Sequence, residues 1–384
     1  MNRIKSIDAI RGLVMIIMAL DHVRDIMHTT SLNNSPTDLQ TTSIILFFTR
    51  WITYLCAPVF VFLSGTSAYL AYQRKNDRME QQKFLLTRGL WLIILEFTVV
   101  NFGLWFNIHF NEFIFSVIAT IGFGFIILSL LLKMSFKTIG FIGLLIVCFH
   151  NLVPSISFNE SSMLKRVLMP LFIPGAFPFA GTKLFIMGYP PIPWLGVLLL
   201  GYGFGPVFLK SDRKKHFLKV GLASLVIFFI LRTLNIYGDS VKWAFQKNSL
   251  FTILSYINLT KYPPSLLFDM LFLGIMMILF YIVGESDNLF TKLAGIFGKV
   301  PLFYFLLHWY IIHLILFVIL ECKGYSISDM NFGTSFGRPK DGAGIELWTV
   351  YIIWILVVLI MYPLCKIYSN YKHLHPENKW LKYL

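Results

Sequence analysis

The chain has 384 residues, of which 57% are hydrophobic and only 14% are charged, and its mean hydropathy is +0.70. Soluble domains carry about 25% charged residues, so this composition excludes an ordinary soluble protein and predicts a polytopic membrane protein. The net charge of +14 would suit nucleic acid, but Lys and Arg stand in short loops between apolar runs. That distribution is typical of membrane orientation, and we therefore expect no nucleic-acid partner.

The apolar runs predict an all-α membrane protein, a polytopic bundle of about ten transmembrane helices that forms one domain over residues 1–384. The predicted spans, in chain order, are 7–28, 49–72, 89–107, 113–132, 138–151, 183–209, 220–236, 264–283, 300–320 and 346–367. Three prolines break the apolar segment 164–182, so we expect it to be re-entrant or interfacial. The four cysteines are scattered and predict neither a disulfide nor a metal site.

The loop charges predict the orientation of the bundle. If the N-terminus is inside, every predicted inside loop is basic, so both termini are expected to be cytoplasmic. His22 then lies in the outer half of helix 1. The outside segments 151–182, 237–263 and 321–345 are unusually long, and long loops often form a mouth over a site.

Helix 1 carries a cluster of ionisable residues: Asp21, His22, Arg24, Asp25 and His28. A charged group near the bilayer centre costs about 2.5–3.5 kcal/mol on insertion scales, and such groups usually mark a functional site. Residues three or four apart share a helix face, so a carboxylate could orient His22 as a general base. The alternative is a set of ion pairs that locks helix 1 to its neighbours.

The ninth predicted span, residues 300–320 (helix 9), carries a second group of candidate residues. Pro301 suits the start of a helix, and Tyr304 precedes His308 by one turn. These two side chains could reach the helix 1 cluster across the bundle, although a histidine that merely joins two helices is the alternative. Arg50 is expected at the outer side of helix 2. Arg88 is expected at the inner side of helix 3, where it could reach lipid phosphate.

The order of these motifs is similar to that of a known family. Residues 3–13 followed by Asp21 and His22 resemble the opening of the heparan-α-glucosaminide N-acetyltransferase family, whose bacterial members are multi-pass transmembrane acyltransferases. Four further stretches match in family order: 57–65, 193–196, 261–266, and 301–304 with His308. The resemblance covers nearly the whole chain. Each motif is weak alone, but the ordered set is specific.

The resemblance implies that acetyl-CoA is supplied from the cytoplasm and that a sugar or glycan amine or hydroxyl is acetylated on the other side. It implies a catalytic histidine on helix 1, with His22 and His28 both open as the base, and it matches His308 to the family's helix 9 histidine. We assign Asp21 and Asp25 to the catalytic group. The expected cofactor-binding residues are Arg11, Arg88, Lys83 and Lys261, and the expected substrate-binding residues are Arg50, Tyr304 and Trp194.

The expected location is the bacterial cytoplasmic (inner) membrane. The expected partners are acetyl-CoA, the glycan acceptor and the lipid bilayer, and a homodimer is the assembly to be tested. The rival function is a proton-coupled secondary transporter of a small polar solute, because transporters also place ionisable groups and broken helices within the membrane.

Overall fold

A computed structural model describes residues 3–75, 77–155, 163–339 and 342–383. The helices are α1 (Lys5–Met27), α2 (Ile44–Thr53), α3 (Cys56–Lys75), α4 (Arg78–Leu95), α5 (Asn101–Trp105), α6 (Val117–Leu131), α7 (Phe136–Phe149), α8 (Met163–Phe172), α9 (Pro191–Phe204), α10 (Arg213–Leu234), α11 (Ser249–Ile257), α12 (Leu266–Val283), α13 (Leu289–Lys299), α14 (Pro301–Cys322) and α15 (Leu347–Leu374). The strands are β1 (Glu112–Phe115), β2 (Gly175–Phe179) and β3 (Lys183–Met187).

The helical, polytopic membrane class is confirmed. In the described ranges, eight helical stretches are long and apolar enough to cross a bilayer. They are Ile44–Arg74, Arg78–Trp105, Phe136–Pro154, Pro191–Leu209, Arg213–Leu234, Leu266–Val283, Pro301–Cys322 and Leu347–Leu374. Two further predicted spans coincide with α1, which carries more charge, and with α6, which has only 15 residues.

Several predicted boundaries are wrong because a small sheet and a helix break interrupt the apolar runs. The sheet has the order β1-β3-β2, with β1 parallel and β2 antiparallel to β3. Residues 183–187 and 112–115 are therefore strands, not the starts of helices, since apolar runs this short fit either structure. The second predicted span is divided between α2 and α3. Residues 156–162 and 340–341 of the predicted outside segments lie outside the described residues.

Helix α1 lies within the bundle and packs against α13, α14, α15, α2, α3 and α12. Its contact with α13 is close because glycines face backbone there. A Cβ atom on Gly12 would lie 1.7 Å from the carbonyl oxygen of Ala294, and one on Gly298 would lie 1.8 Å from that of Asp8. Helices approach this closely only where a side chain is missing. The N-terminal half of α1 is therefore held close against α13.

Candidate active site

The carboxylate of Asp21 is bound by donors from two helices. It accepts hydrogen bonds from Arg24 Nη2 at 2.7 Å, from Thr53 Oγ1 at 2.8 Å and from Arg50. Arg24 also donates to Asp25 at 2.6 Å. Asp21 and Arg24 are buried, and buried ion pairs hold their geometry when each charge is matched in this way. Asp21 therefore fixes α1 to α2, as the ion-pair interpretation of the cluster predicted.

His22 is paired with His308 rather than with a carboxylate. His22 Nδ1 lies 2.6 Å from His308 Nε2, and His308 Nδ1 lies 3.1 Å from the carbonyl oxygen of Tyr304. A carbonyl oxygen only accepts, so His308 Nδ1 carries the hydrogen. When His308 is neutral, its Nε2 accepts from His22 Nδ1, and His22 Nε2 remains the nitrogen that can bind a proton. The expectation that Asp21 or Asp25 orients His22 is therefore corrected.

Two further aromatic side chains complete a layer around this pair. The Trp309 ring stacks on His22 with centroids 3.9 Å apart, and Phe305 lies 5.7 Å from His308 and 6.3 Å from Trp309 between ring centroids. We call His22, His308, Trp309 and Phe305 the aromatic wall. Because α14 supplies three of its members, one helix sets their mutual positions.

A first cavity, of about 320 Å³, lies on the N-terminal side of the wall along α1. Arg11 and Met15 line it from α1, Arg88 from α4 and Phe305 from α14. Arg11 Nη2 donates to Ser67 Oγ at 2.8 Å, which directs the guanidinium along the cavity. A third cavity of about 200 Å³ shares Arg11, Ser67 and Ala71 with the first and is also lined by Arg3 and Arg74. Cations therefore mark the entrance to a mostly apolar space.

A second cavity, of about 350 Å³, lies near the C-terminal end of α1, and none of the four wall residues lines it. It is lined by Asp25, Arg50, Tyr54, Lys261 and Tyr262, and by residues of three loops: Ser35, Pro36, Thr37, Val241, Asn258, Leu259 and Thr260. Burial raises the pKa of the Tyr262 phenol, but the nearby cations Lys261 and Arg50 outweigh it and hold the pKa below its ordinary value. Along α1, His22 thus lies between Met15, which lines the apolar first cavity, and Asp25, which lines the polar, cationic second one, although His22 itself lines neither.

The family model described as heparan-alpha-glucosaminide N-acetyltransferase, catalytic, matches residues 3–238 of the chain. The chain belongs to the heparan-alpha-glucosaminide N-acetyltransferase family. The match supports a transmembrane acetyltransferase as the general activity. No curated protein matches the chain. The matched segment contains the ionisable cluster of α1 and both arginines of the first cavity, whereas His308 and Lys261 lie beyond it.

Several residues assigned from the resemblance to this acetyltransferase family lie together. Arg11 and Arg88 line the first cavity, and Arg50 and Asp25 line the second. His28 lies at the end of α1, where its Nδ1 is 3.0 Å from Thr30 Oγ1. It lines none of the three cavities described above.

Three assignments do not agree with where the structure places the residues. Lys261 lines the second cavity and so does not join Arg11 and Arg88, with which it was grouped. Lys83 is exposed on α4 and lines none of the three cavities. Trp194 is fully buried and lines none of the three cavities. Its ring lies 5.4 Å from that of Tyr189, which bonds to Tyr262. The prolines before Trp194 in the sequence could not show whether its side chain packs in the core or contacts the substrate.

Tyr304 acts on the site through its backbone, which orients His308. Its hydroxyl is buried and has no hydrogen-bond partner among the described residues. Sequence reasoning missed Trp309 and Phe305, although both flank His308 on α14. Glu96 is a further buried carboxylate, and it accepts hydrogen bonds from Ser116 Oγ at 2.7 Å and from Ala119 N at 2.9 Å. These two donors give Glu96 a structural role at the start of α6.

Proposed function

We propose that the chain transfers an acetyl group from acetyl-CoA in the first cavity to an amine or hydroxyl of a sugar or glycan in the second. The observation that carries this proposal is the His22–His308 pair, in which His22 lies on α1 between Met15 of the first cavity and Asp25 of the second, and these cavities differ in chemistry. A transferase that joins reactants from opposite sides needs a base at their meeting point. The aromatic wall supplies one, with its tautomer set by hydrogen bonds.

The first cavity fits the acyl donor by charge and shape. Arg11 and Arg88 would hold the phosphates of coenzyme A, and the apolar lining would hold its pantetheine arm. Acetyl-CoA bound in this cavity would supply an activated acetyl thioester. His22 follows Arg11 by eleven residues on one helix, or about 16 Å of helix rise. Arg11, the proposed phosphate contact, and His22, the proposed base, are thus separated by roughly the length of an extended pantetheine arm.

His22 Nε2 would remove the proton from the acceptor as its nitrogen or oxygen attacks the thioester carbonyl. A C–N or C–O bond forms, the C–S bond breaks, and His22 then returns its proton to the leaving sulfur as a thiol. His308 stays neutral and keeps His22 Nδ1 hydrogen-bonded throughout. A positioned base contributes about 10²- to 10⁴-fold, so holding the reactants together must contribute as well.

We further propose that the first cavity opens to the cytoplasm. Arg11 lines both the first and the third cavity, and Arg3 and Arg74 line the third. The positive-inside tendency favours the cytoplasm for such a basic surface. This arrangement agrees with the expected location in the bacterial inner membrane and with a single domain over residues 1–384. The described residues give a homodimer no support, and we do not propose one.

The test uses the purified chain with acetyl-CoA and glucosamine, and measures both free coenzyme A thiol and acetylated sugar. We expect His22→Gln to lower turnover by about 10²- to 10⁴-fold, because it removes the base. His28→Gln distinguishes the two candidate histidines and should change turnover little. Full turnover in the His22 variant would contradict the mechanism. Coenzyme A should also raise the Tm, which a solute transporter would not show.

A further inference from the structure

Arg232, in the last turn of α10, is a buried arginine whose guanidinium binds backbone. Its side chain is only 1% exposed. Nε and Nη1 donate to the carbonyl oxygens of Tyr256 and Val241, each at 2.8 Å. Nη2 donates to the carbonyl oxygens of Ser255 and Asn258, each at 3.0 Å. A guanidinium carries five donors in a rigid plane, so it can fix several acceptors in set directions. Arg232 thus connects the loop at 241 to the end of α11 and the loop that follows it.

Asp239 binds the same two loops through its carboxylate. Oδ1 accepts from Val241 N at 2.8 Å and from Thr260 Oγ1 at 2.7 Å, and Oδ2 accepts from Thr260 N at 2.9 Å. The side chain of Asn258 extends the connection to a third loop, since its Nδ2 donates to the carbonyl oxygen of Thr37 at 3.0 Å. Thr37, Val241, Asn258 and Thr260 all line the second cavity. One hydrogen-bond network therefore joins the three loops that line this cavity.

We propose that Arg232 and Asp239 are positioning residues for the acceptor, because they set the spacing of these three loops. Neither residue lines the second cavity, so each acts on it through the backbone that it binds. Misplacing a positioning contact by about 1 Å can cost about 10²-fold in rate, so loop spacing matters to the reaction. The inference rests on the proposed function, since it concerns how the same site holds its acceptor.

The test measures backbone exchange and steady-state kinetics in the purified full chain. Arg232→Met removes the five donors and keeps an unbranched side chain. The amides of Val241 and Thr260 should then exchange with deuterium at least about tenfold faster, because one charge-assisted hydrogen bond alone accounts for such a factor. The KM for glucosamine should rise about 10- to 100-fold, whereas the KM for acetyl-CoA should not change. Arg232→Lys returns three donors and should recover part of both effects.

Phe217→Ala is the matched control for loss of stability. Phe217 is buried at the other end of α10 and packs against Phe208 and Phe280, with ring centroids 5.0 and 5.3 Å apart. The control should lower the Tm without changing the exchange of the two loop amides or the KM for glucosamine. Equally fast exchange of these amides in Phe217→Ala and Arg232→Met would overturn the inference. An unchanged KM for glucosamine in Arg232→Met would overturn it as well.

Asp239→Ala provides a second variant in case Arg232→Met does not fold. It removes the acceptor of the Val241 and Thr260 amides, so the same rise in the KM for glucosamine is expected. A wild-type KM in Asp239→Ala would overturn the inference. Absence of acetyl transfer in the wild-type chain would contradict the proposed function alone. The exchange rates would still decide whether Arg232 positions the loops, so the two proposals fail separately.

Discussion

Replacing His308 tests the tautomer argument at the centre of the proposed mechanism. His308 touches neither proposed reactant in the mechanism, and its effect comes through the 2.6 Å contact with His22. In His308→Phe, the ring packing against Trp309 is kept but the acceptor for His22 Nδ1 is lost. In His308→Gln, the side-chain oxygen can take the place of Nε2 and still accept that hydrogen. The two variants therefore separate packing from hydrogen bonding.

The magnitude follows from the free energy of one part-buried hydrogen bond. Leaving the Nδ1 donor of His22 unpaired costs about 1–3 kcal/mol. In His308→Phe, this hydrogen bond also no longer favours the His22 tautomer in which Nδ1 carries the hydrogen and Nε2 is free to accept a proton. Since about 1.36 kcal/mol corresponds to a tenfold change in rate, His308→Phe should lower kcat by about 5- to 150-fold. His308→Gln should lose much less, about tenfold at most on the same scale.

The assay is steady-state release of the coenzyme A thiol at saturating acceptor, with acetyl-CoA varied. The loss should fall on kcat and not on the KM for acetyl-CoA, because the first cavity is untouched. Nitrogen NMR of labelled His22 reports the tautomer directly. Equal activity of the Phe and Gln variants, or wild-type turnover in the Phe variant, would refute the reasoning.

Two further predictions concern the donor cations and the ion-pair cluster. Arg11→Leu should raise the KM for acetyl-CoA by roughly 10- to 100-fold with a smaller change in kcat, since a phosphate contact is lost. The control Lys219→Leu, at an exposed lysine, should change neither constant. Equal KM values in the two variants would contradict the donor assignment. Asp21→Asn should lower the free energy of unfolding by about 3–5 kcal/mol in thermal unfolding, because it leaves buried cations unmatched. Asp287→Asn, which affects only exposed pairs, should cost at most about 1 kcal/mol, and similar costs for both variants would argue against a buried network.

Much of the fold could be predicted from the sequence because the signals are local. Apolar length and hydropathy are sufficient to find membrane helices, and Pro301 begins α14 as expected. The sheet was missed because its strands have only four or five residues, and because β1 is distant in the chain from its partner β3. Register between strands depends on long-range contacts that periodicity does not report.

The candidate site, too, could be predicted only where its signals lie within one helix or one motif. The cluster on α1 stands out within one helix, and the resemblance supplied His308. The sequence predicted that His308 could reach the cluster of α1 across the bundle, as it does. It did not predict the direct pairing with His22, since helical spacing places Asp25 on the face that His22 shares. Likewise, Lys261 was grouped with the donor cations because charge alone suggests phosphate. Its separation from Arg11 depends on which helices and loops meet, and this is a property of the packing.

The aromatic wall also determines where the electrical barrier of the membrane lies. A bilayer insulates over about 30 Å of hydrocarbon, but here the first cavity reaches the wall at Phe305, and the second is lined by Asp25, three residues after His22 on α1. Most of the transmembrane voltage would then fall across a few side chains. A proton that moves through His22 Nε2 from the acceptor to the leaving sulfur would experience up to about 2.3 kcal/mol per 100 mV. Proton transfer at His22 is thereby coupled to voltage, and turnover in proteoliposomes under opposite imposed voltages measures that coupling, with equal rates arguing against it.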